Sequence, residues 1–588
     1  MSVQMMSTLN AGSTIPKWQM ALLLGTPVAI GLGYYMYKKK SNKIDGSVDS
    51  KKKYFDLKSA SLSSIDGSEN EKDIDRKKKL AELEGEKLTP LKEAQIHKND
   101  GNVCYRQGKF DEAIKFYDKA IEKCPKENKT DLAIFYQNRA AAYEMLKKWN
   151  QVKADCTKSL EYNPRYTKAY FRRAKAYEAT NDLLDCLDDV TATCILEIFQ
   201  NNTTIMFADR ILKQTGSDDA ISGMKNRVPV FPSKHFTKTY FRSFVSDTLR
   251  NMKLENIEDS KGFIKARLAW DDDRFDDVIS ACTEEIELSE GESQYKVEAT
   301  LLRGTFNLLR GCFEEAKQDL DLVINNADAD VKLRVNAYLK RASLYVQTEK
   351  RDLVFKDFDE AEKLDPNNAD VYYQRAQIYL LLDQVDKALV EFDKVCKLAP
   401  EHGMAFVQKV YAEYRLAFMS QDQMRLLSVM NEFKNAIDKF PNCVECYSLM
   451  AQVLTDQGQY DSADSFFEKA IKMAPENAAL YVHRGIMHLQ WNGDIEKALS
   501  LIKKSIEIDE KCELAYETLG TIEVQRGNLE RAIELFEEAI KLAKGQTEMA
   551  HLYALRNAAR AQINVTRKLG IDMSAITSLV QAGITPPQ

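Results

Sequence analysis

Between Ala369 and Pro400 the chain reads ADVYYQRAQIYLLLDQVDKALVEFDKVCKLAP, with apolar and small residues returning at helical spacing in two successive runs. That pattern predicts two helices, with Ala376 and Tyr379 on the first, Ala388 and Phe392 on the second, and Pro400 as the stop. Pro366, Pro400, Pro441 and Pro475 each close such a segment, and the first and third intervals are 34 residues long. Read backwards, the same template places Gly101, Ala113, Tyr117, Ala120 and Pro125 in a first unit. A second unit, with a loop five residues longer, holds Ala140, Tyr143 and Pro164, and a third holds Ala174 and Tyr177.

The pattern then stops. Residues 196–258 contain NRVPVFPSKHF, whose prolines and aromatics predict an extended connector packed on helices, and TYFRSFVSDTL, which predicts a short helix. The pattern resumes near Gly262 and continues through Gly304, Ala342, Ala376, Ala451, Gly485 and Gly520. A degenerate unit near Val410 carries an insertion of about seven residues around MSQDQMRLL. The final run, AHLYALRNAARAQINVTRKLG, is expected to cap the array with a more polar outer face.

A 34-residue period with small residues at the helix crossings resembles the tetratricopeptide repeat. The resemblance implies an all-α superhelix in two blocks, of about eleven repeats in total. Three repeats fall in residues 91–195 and about eight in 259–588, with the connector at 196–258. It also implies a concave groove lined by the first helix of each pair, an architecture for holding partners and not for catalysis.

The N-terminal region has a different character. Trp18 to Tyr37 is an uncharged stretch of 20 residues, which at helical rise spans a hydrocarbon core of roughly 30 Å. Lys38, Lys39 and Lys40 follow it, whereas Lys17 is the one charged side chain before it, so the bias of basic residues leaves the bulk of the chain in the cytosol. Residues 1–17 then form a short leading segment and 18–37 a single transmembrane anchor. Residues 38–90 read as a charged flexible tether, with too little apolar surface to offset the entropy of ordering. Thr89 before Pro90 supplies a helix cap and a favoured first-turn residue.

Composition narrows the function. A formal charge of −6 provides no electrostatic footprint for nucleic acid. The eleven cysteines lack regular spacing and sit, as Cys186 and Cys282 do, in apolar runs, which points to reduced thiols. Cys443 and Cys446 form an isolated pair without the second pair or the histidines that a zinc site requires. The chain contains no phosphate-binding G-x-x-x-x-G-K, zinc-protease H-E-x-x-H or nucleophile-elbow G-x-S-x-G. No catalytic residue, cofactor or metal is therefore expected.

One constellation carries chemistry. Lys98 and Asn102 lie four apart on the first predicted helix and share a face, Asn138 takes the corresponding place in the second unit, and Lys168 and Arg172, again four apart, belong to the third. Ammonium and guanidinium groups supply charge and the amides directional donors, an array answered by two adjacent carboxylates, as at a peptide ending in aspartate. These five residues resemble the dicarboxylate clamp of chaperone-binding tetratricopeptide domains. Those domains hold the terminal Glu-Glu-Val-Asp of cytosolic heat-shock chaperones of the seventy- and ninety-kilodalton classes.

Anchor, tether, clamp, connector and second block together resemble the seventy-kilodalton class of import receptors in the translocase of the outer mitochondrial membrane. That resemblance implies a receptor, membrane-anchored and facing the cytosol, that accepts hydrophobic precursor proteins such as metabolite carriers and works with other translocase subunits. The degenerate unit near Val410 is where precursor binding is expected. A chaperone-docking receptor of the endoplasmic-reticulum membrane is the alternative that the anchor and clamp leave open.

Overall fold

The computed structural model describes residues 89–245, 247–252, 261–289, 293–348 and 350–571. The expected leading segment, anchor and tether up to residue 88 lie outside these. Among the described residues there is no strand, and no helix is long and apolar enough to cross a membrane.

The chain divides into two compact units. Of the described residues, one contains 89–215, 524–530 and 554–571, and the other 216–523 and 531–553. In the first, three helix pairs follow one another: α1 (Pro90–Arg106) with α2 (Phe110–Lys123), α3 (Lys129–Met145) with α4 (Trp149–Tyr162), and α5 (Thr167–Ala179) with α6 (Leu183–Leu196). The Lys92 N–H donates to the Thr89 hydroxyl at 3.4 Å and Pro90 occupies the first turn, so the chain enters α1 as its cap residues dictate. Next comes α7 (Asn202–Lys225), a helix of 24 residues where the sequence pattern predicts the start of a connector. The sequence pattern gives no helix at this place, because α7 does not follow the 34-residue register that marks the repeats.

Residues 227–233 are non-helical, as NRVPVFP requires, and lead into α8 (Lys234–Arg242) and α9 (Thr248–Asn251). Phe231 lies with its ring 6.3 Å from Phe275 and 6.0 Å from Phe306, and Phe241 sits 4.2 Å from Trp270, so the connector is packed through its aromatics. Eight further pairs follow: α10 (Gly262–Asp271) with α11 (Phe275–Ile286), α12 (Lys296–Arg310) with α13 (Phe313–Asn325), α14 (Val331–Gln347) with α15 (Arg351–Leu364), and α16 (Ala369–Leu381) with α17 (Val385–Leu398). The remainder are α18 (Gly403–Ser420) with α19 (Gln423–Lys439), α20 (Val444–Asp456) with α21 (Tyr460–Met473), α22 (Ala478–Asn492) with α23 (Ile495–Ile508), and α24 (Glu513–Gln525) with α25 (Leu529–Leu542). A last helix, α26 (Gln546–Leu569), closes the described chain. Among the described residues there are thus eleven helix pairs, three before α7 and eight after α9, an all-α repeat fold as expected.

Each recurring letter in the sequence has a recurring bond. Tyr170, Tyr372, Tyr447 and Tyr481 each donate a phenolic hydrogen bond to the carbonyl of the proline six residues earlier, at 3.2, 2.7, 3.1 and 3.3 Å. The proline thus ends one repeat while its oxygen fixes the start of the next. Arg139, Arg173, Arg303, Arg341 and Arg375 each reach a carboxylate sixteen residues on, in the second helix of the same pair. Arg139 and Arg341 also bind Asp118 and Asp321 of the preceding repeat, so one guanidinium fastens two repeats.

The insertion around MSQDQMRLL is taken up by longer helices: α18 and α19 run to 18 and 17 residues and absorb it, leaving Met419, Met424 and Leu427 exposed at their junction. The last helix buries Leu552, Leu555, Ala559 and Val565 and exposes Arg560, Asn564, Arg567 and Lys568, the more polar outer face expected of it; its part from 554 onward belongs to the first unit, where Asn564 donates to Asp188 at 3.1 Å.

Candidate chaperone-tail binding site

The residues singled out in sequence lie on the first helices of the three pairs of the first unit. Asn102, on α1, is 6% exposed, and its Oδ1 accepts from the Tyr117 hydroxyl at 2.8 Å and from Asn138 Nδ2 on α3 at 3.2 Å. The two asparagines predicted from separate repeats therefore touch. Arg172, on α5, reaches back to α3, where its Nε donates to Glu144 at 2.7 Å and an Nη1 hydrogen meets the Gln137 carbonyl at 3.3 Å. Since Gln137 precedes Asn138, the arginine and the asparagine pair border the same turn of α3.

Lys98 stands one turn before Asn102 on the same face of α1 and is half-buried; Lys168 stands one turn before Arg172 on α5 and is exposed. The structure thus joins Asn102, Asn138 and Arg172 through direct contacts or adjacent backbone, and places the two lysines at the outer ends of the same faces.

Close approach explains Gly101. A Cβ there would lie 2.7 and 2.8 Å from ring carbons of Tyr117. The lack of a side chain lets the phenol ring lie against α1 and bring its hydroxyl to Asn102. Arg172 is kept charged: burial alone would lower its pKa, but the Glu144 carboxylate more than reverses this and raises it. Glu144 also lies 3.6 Å from Lys175. Sequence reasoning missed Glu144 and Gln137, whose partner is 28 and 35 residues away and follows no repeat rule. Tyr117 was visible as a repeat residue, but its bond to Asn102 was not.

All eleven cysteines are free, Cys446 is buried, and burial raises the thiols of Cys186 and Cys194 to about 12, which disfavours thiolates. Among the described residues no group of three or more His, Cys, Asp or Glu could hold a metal ion.

The paired helices and their repeating bonds define a tetratricopeptide-repeat protein, and that family matches residues 94–127, 358–390, 444–477 and 514–546. The human mitochondrial import receptor subunit TOM70 is 43% identical over 579 residues, covering 95% of this chain and 93% of the human protein. Its rat counterpart is 42% identical over 586 residues, covering 96% and 94%. The crystal structure of yeast Tom70 covers 83% of this chain and 99% of its own, at 24% identity and a TM-score of 0.45. The chain belongs to the TOM70 family of mitochondrial import receptor subunits. Membership of a mitochondrial family speaks against the endoplasmic-reticulum alternative.

Proposed function

We propose that this chain is a receptor anchored in the mitochondrial outer membrane, whose first unit docks cytosolic chaperones of the seventy- and ninety-kilodalton heat-shock classes by their C-terminal Glu-Glu-Val-Asp. Its second unit accepts the hydrophobic precursors that those chaperones carry, metabolite carriers among them, for handover to the import channel and the other translocase subunits. The observation that carries the reading is the convergence of Asn102, Asn138 and Arg172 from three successive first helices. Arg172, Lys98 and Lys168 supply positive charge for two adjacent carboxylates, and the two amides supply donors in fixed directions. Guanidinium and amide donors pre-set in this way lose little freedom on binding.

For the second unit, support comes from the exposed Met419, Met424 and Leu427 at the lengthened α18–α19 junction. Flexible, polarisable methionines suit apolar segments of varied sequence. A chaperone held at one unit raises the local concentration of its cargo at the other, so transfer becomes effectively intramolecular.

The test is a capture from cytosol by the full chain, comparing the native protein with Arg172→Ala and adding synthetic peptide as competitor. The native chain should retain both chaperone classes, lose them to a free-acid Glu-Glu-Val-Asp peptide, and keep them against the C-terminal amide. Arg172→Ala should retain neither chaperone while still cross-linking to isolated carrier-derived segments. Equal competition by acid and amide peptides would remove the docking reading, and loss of carrier cross-links with Arg172→Ala would remove the two-site one.

A further inference from the structure

The hydrogen bond between Tyr117 and Asn102 has a direction. Asn102 Oδ1 accepts twice, from a phenol buried to 1% exposure and from the Asn138 amide. With both lone pairs of that oxygen in use, the Asn102 amide can present only its N–H groups to a ligand. Rotating the amide by half a turn would set its NH2 against the Asn138 NH2, donor facing donor, unless Asn138 rotated too. Rotating both would leave the Tyr117 hydroxyl proton without its acceptor in a site that water does not reach, and a buried phenol normally keeps a partner. The two amides and the phenol are therefore one chain of bonds, and its polarity is set at the buried end.

We propose that Tyr117 is a positioning residue of the docking site: its hydroxyl holds Oδ1 of Asn102 and so turns the donor end of the linked asparagine amides toward the ligand, giving preference for a C-terminal carboxylate over a carboxamide. The proposal rests on the docking reading above and adds to it the origin of that discrimination. A carboxylate only accepts hydrogen bonds, so an amide that offered its oxygen would repel it. A carboxamide both donates and accepts, so it would bind either orientation. Gly101 belongs to the same device, because the close seat that it gives the ring puts the hydroxyl within 2.8 Å of Asn102.

Tyr117→Phe keeps the ring and its packing and deletes only the proton that orients the amides. The full chain is titrated calorimetrically with a Glu-Glu-Val-Asp peptide as the free acid and as the C-terminal amide, for the native protein, Tyr117→Phe, Asn102→Ala and the double variant. In Tyr117→Phe the acid should bind about fivefold to tenfold more weakly, with the amide unchanged or tighter, so that the ratio of the two affinities shrinks. In an Asn102→Ala background the tyrosine change should leave that ratio where Asn102→Ala alone puts it, since Tyr117 acts through Asn102. A merely structural role would lower the unfolding temperature and leave the acid-to-amide ratio at its native value, and that result overturns the proposal. If the native chain itself does not distinguish acid from amide, it is the docking reading that fails, and the native titration alone reveals it.

Discussion

Gly101 shows how much one absent side chain governs. Alanine is the better helix former by about 1 kcal/mol, so propensity alone favours Gly101→Ala. The Tyr117 ring carbons, 2.7 and 2.8 Å from where the new Cβ would sit, oppose it. Forcing a methyl into a filled space costs about 1–3 kcal/mol, so the net effect is a destabilised first unit. The displaced ring also carries its hydroxyl away from Asn102, so peptide affinity should fall with stability. Gly520 offers the matched control: a Cβ there would meet the Phe536 ring at 2.7 Å. Gly520→Ala should cost similar stability and leave peptide titrations unchanged. Thermal unfolding and calorimetry on both variants separate the outcomes, and a Gly101→Ala protein with native stability would show that the ring yields.

At the scale of elements, the helix pairs were legible because each repeat states the same instructions: a small residue, an aromatic, a proline. The asparagines and Arg172 could be singled out because they stand at corresponding positions of successive units and resemble the clamp pattern. Glu144 could not, because its bond to Arg172 depends on how three pairs stack, and nothing in the spacing encodes it. Helix α7 and the seating of the last helix escaped too, since neither has a partner at the repeat interval.

The arginine fasteners allow a quantitative test of the elements. Arg341 is 16% exposed and binds Asp357, 5% exposed, and Asp321, 27% exposed. Arg341→Met strands Asp357, whereas Asp321 keeps Lys317 and some solvent, so the cost is about 3 kcal/mol, at the lower end for a broken buried pair. Arg531 and Glu534 form an equally short bridge but are 60% and 63% exposed, so Arg531→Met should cost less than about 0.5 kcal/mol. Amide hydrogen exchange reads the difference locally: protection should drop across α13, α14 and α15 in Arg341→Met and nowhere near α25 in Arg531→Met. Similar losses in the two would mean that geometry and not burial decides what these bridges contribute.

For the whole molecule, the first unit is not complete when its three pairs have been made, since residues 554–571, from the far end of the sequence, belong to it. Their contact centres on Asp188 of α6. Asn564 donates to both of its carboxylate oxygens, at 3.4 and 3.1 Å, and Lys568 lies over the neighbouring Tyr170 ring. Burial pushes the Asp188 carboxyl up to about 6, with Asp189 and Asp185 adding to the rise and Asn564 and Lys568 opposing it. An unfolded aspartate titrates near 3.9, on the order of two units lower. Between about pH 4 and pH 6 the folded chain therefore holds the proton more often than the unfolded one. Stability from this group must fall as the pH rises through that window and stay low above it. Asp188→Asn keeps an oxygen for Asn564 and cannot ionise. It should leave stability at pH 4 nearly unchanged and raise it at pH 7 by about 1 kcal/mol, the shift being discounted for the partial exposure of the group. Unfolding midpoints of the full chain at pH 4, 5, 6 and 7 decide the matter: the gap between variant and native protein should open between pH 4 and 6, and a gap of constant size would mean that the end of the chain is held by packing, with the charge on Asp188 playing no part.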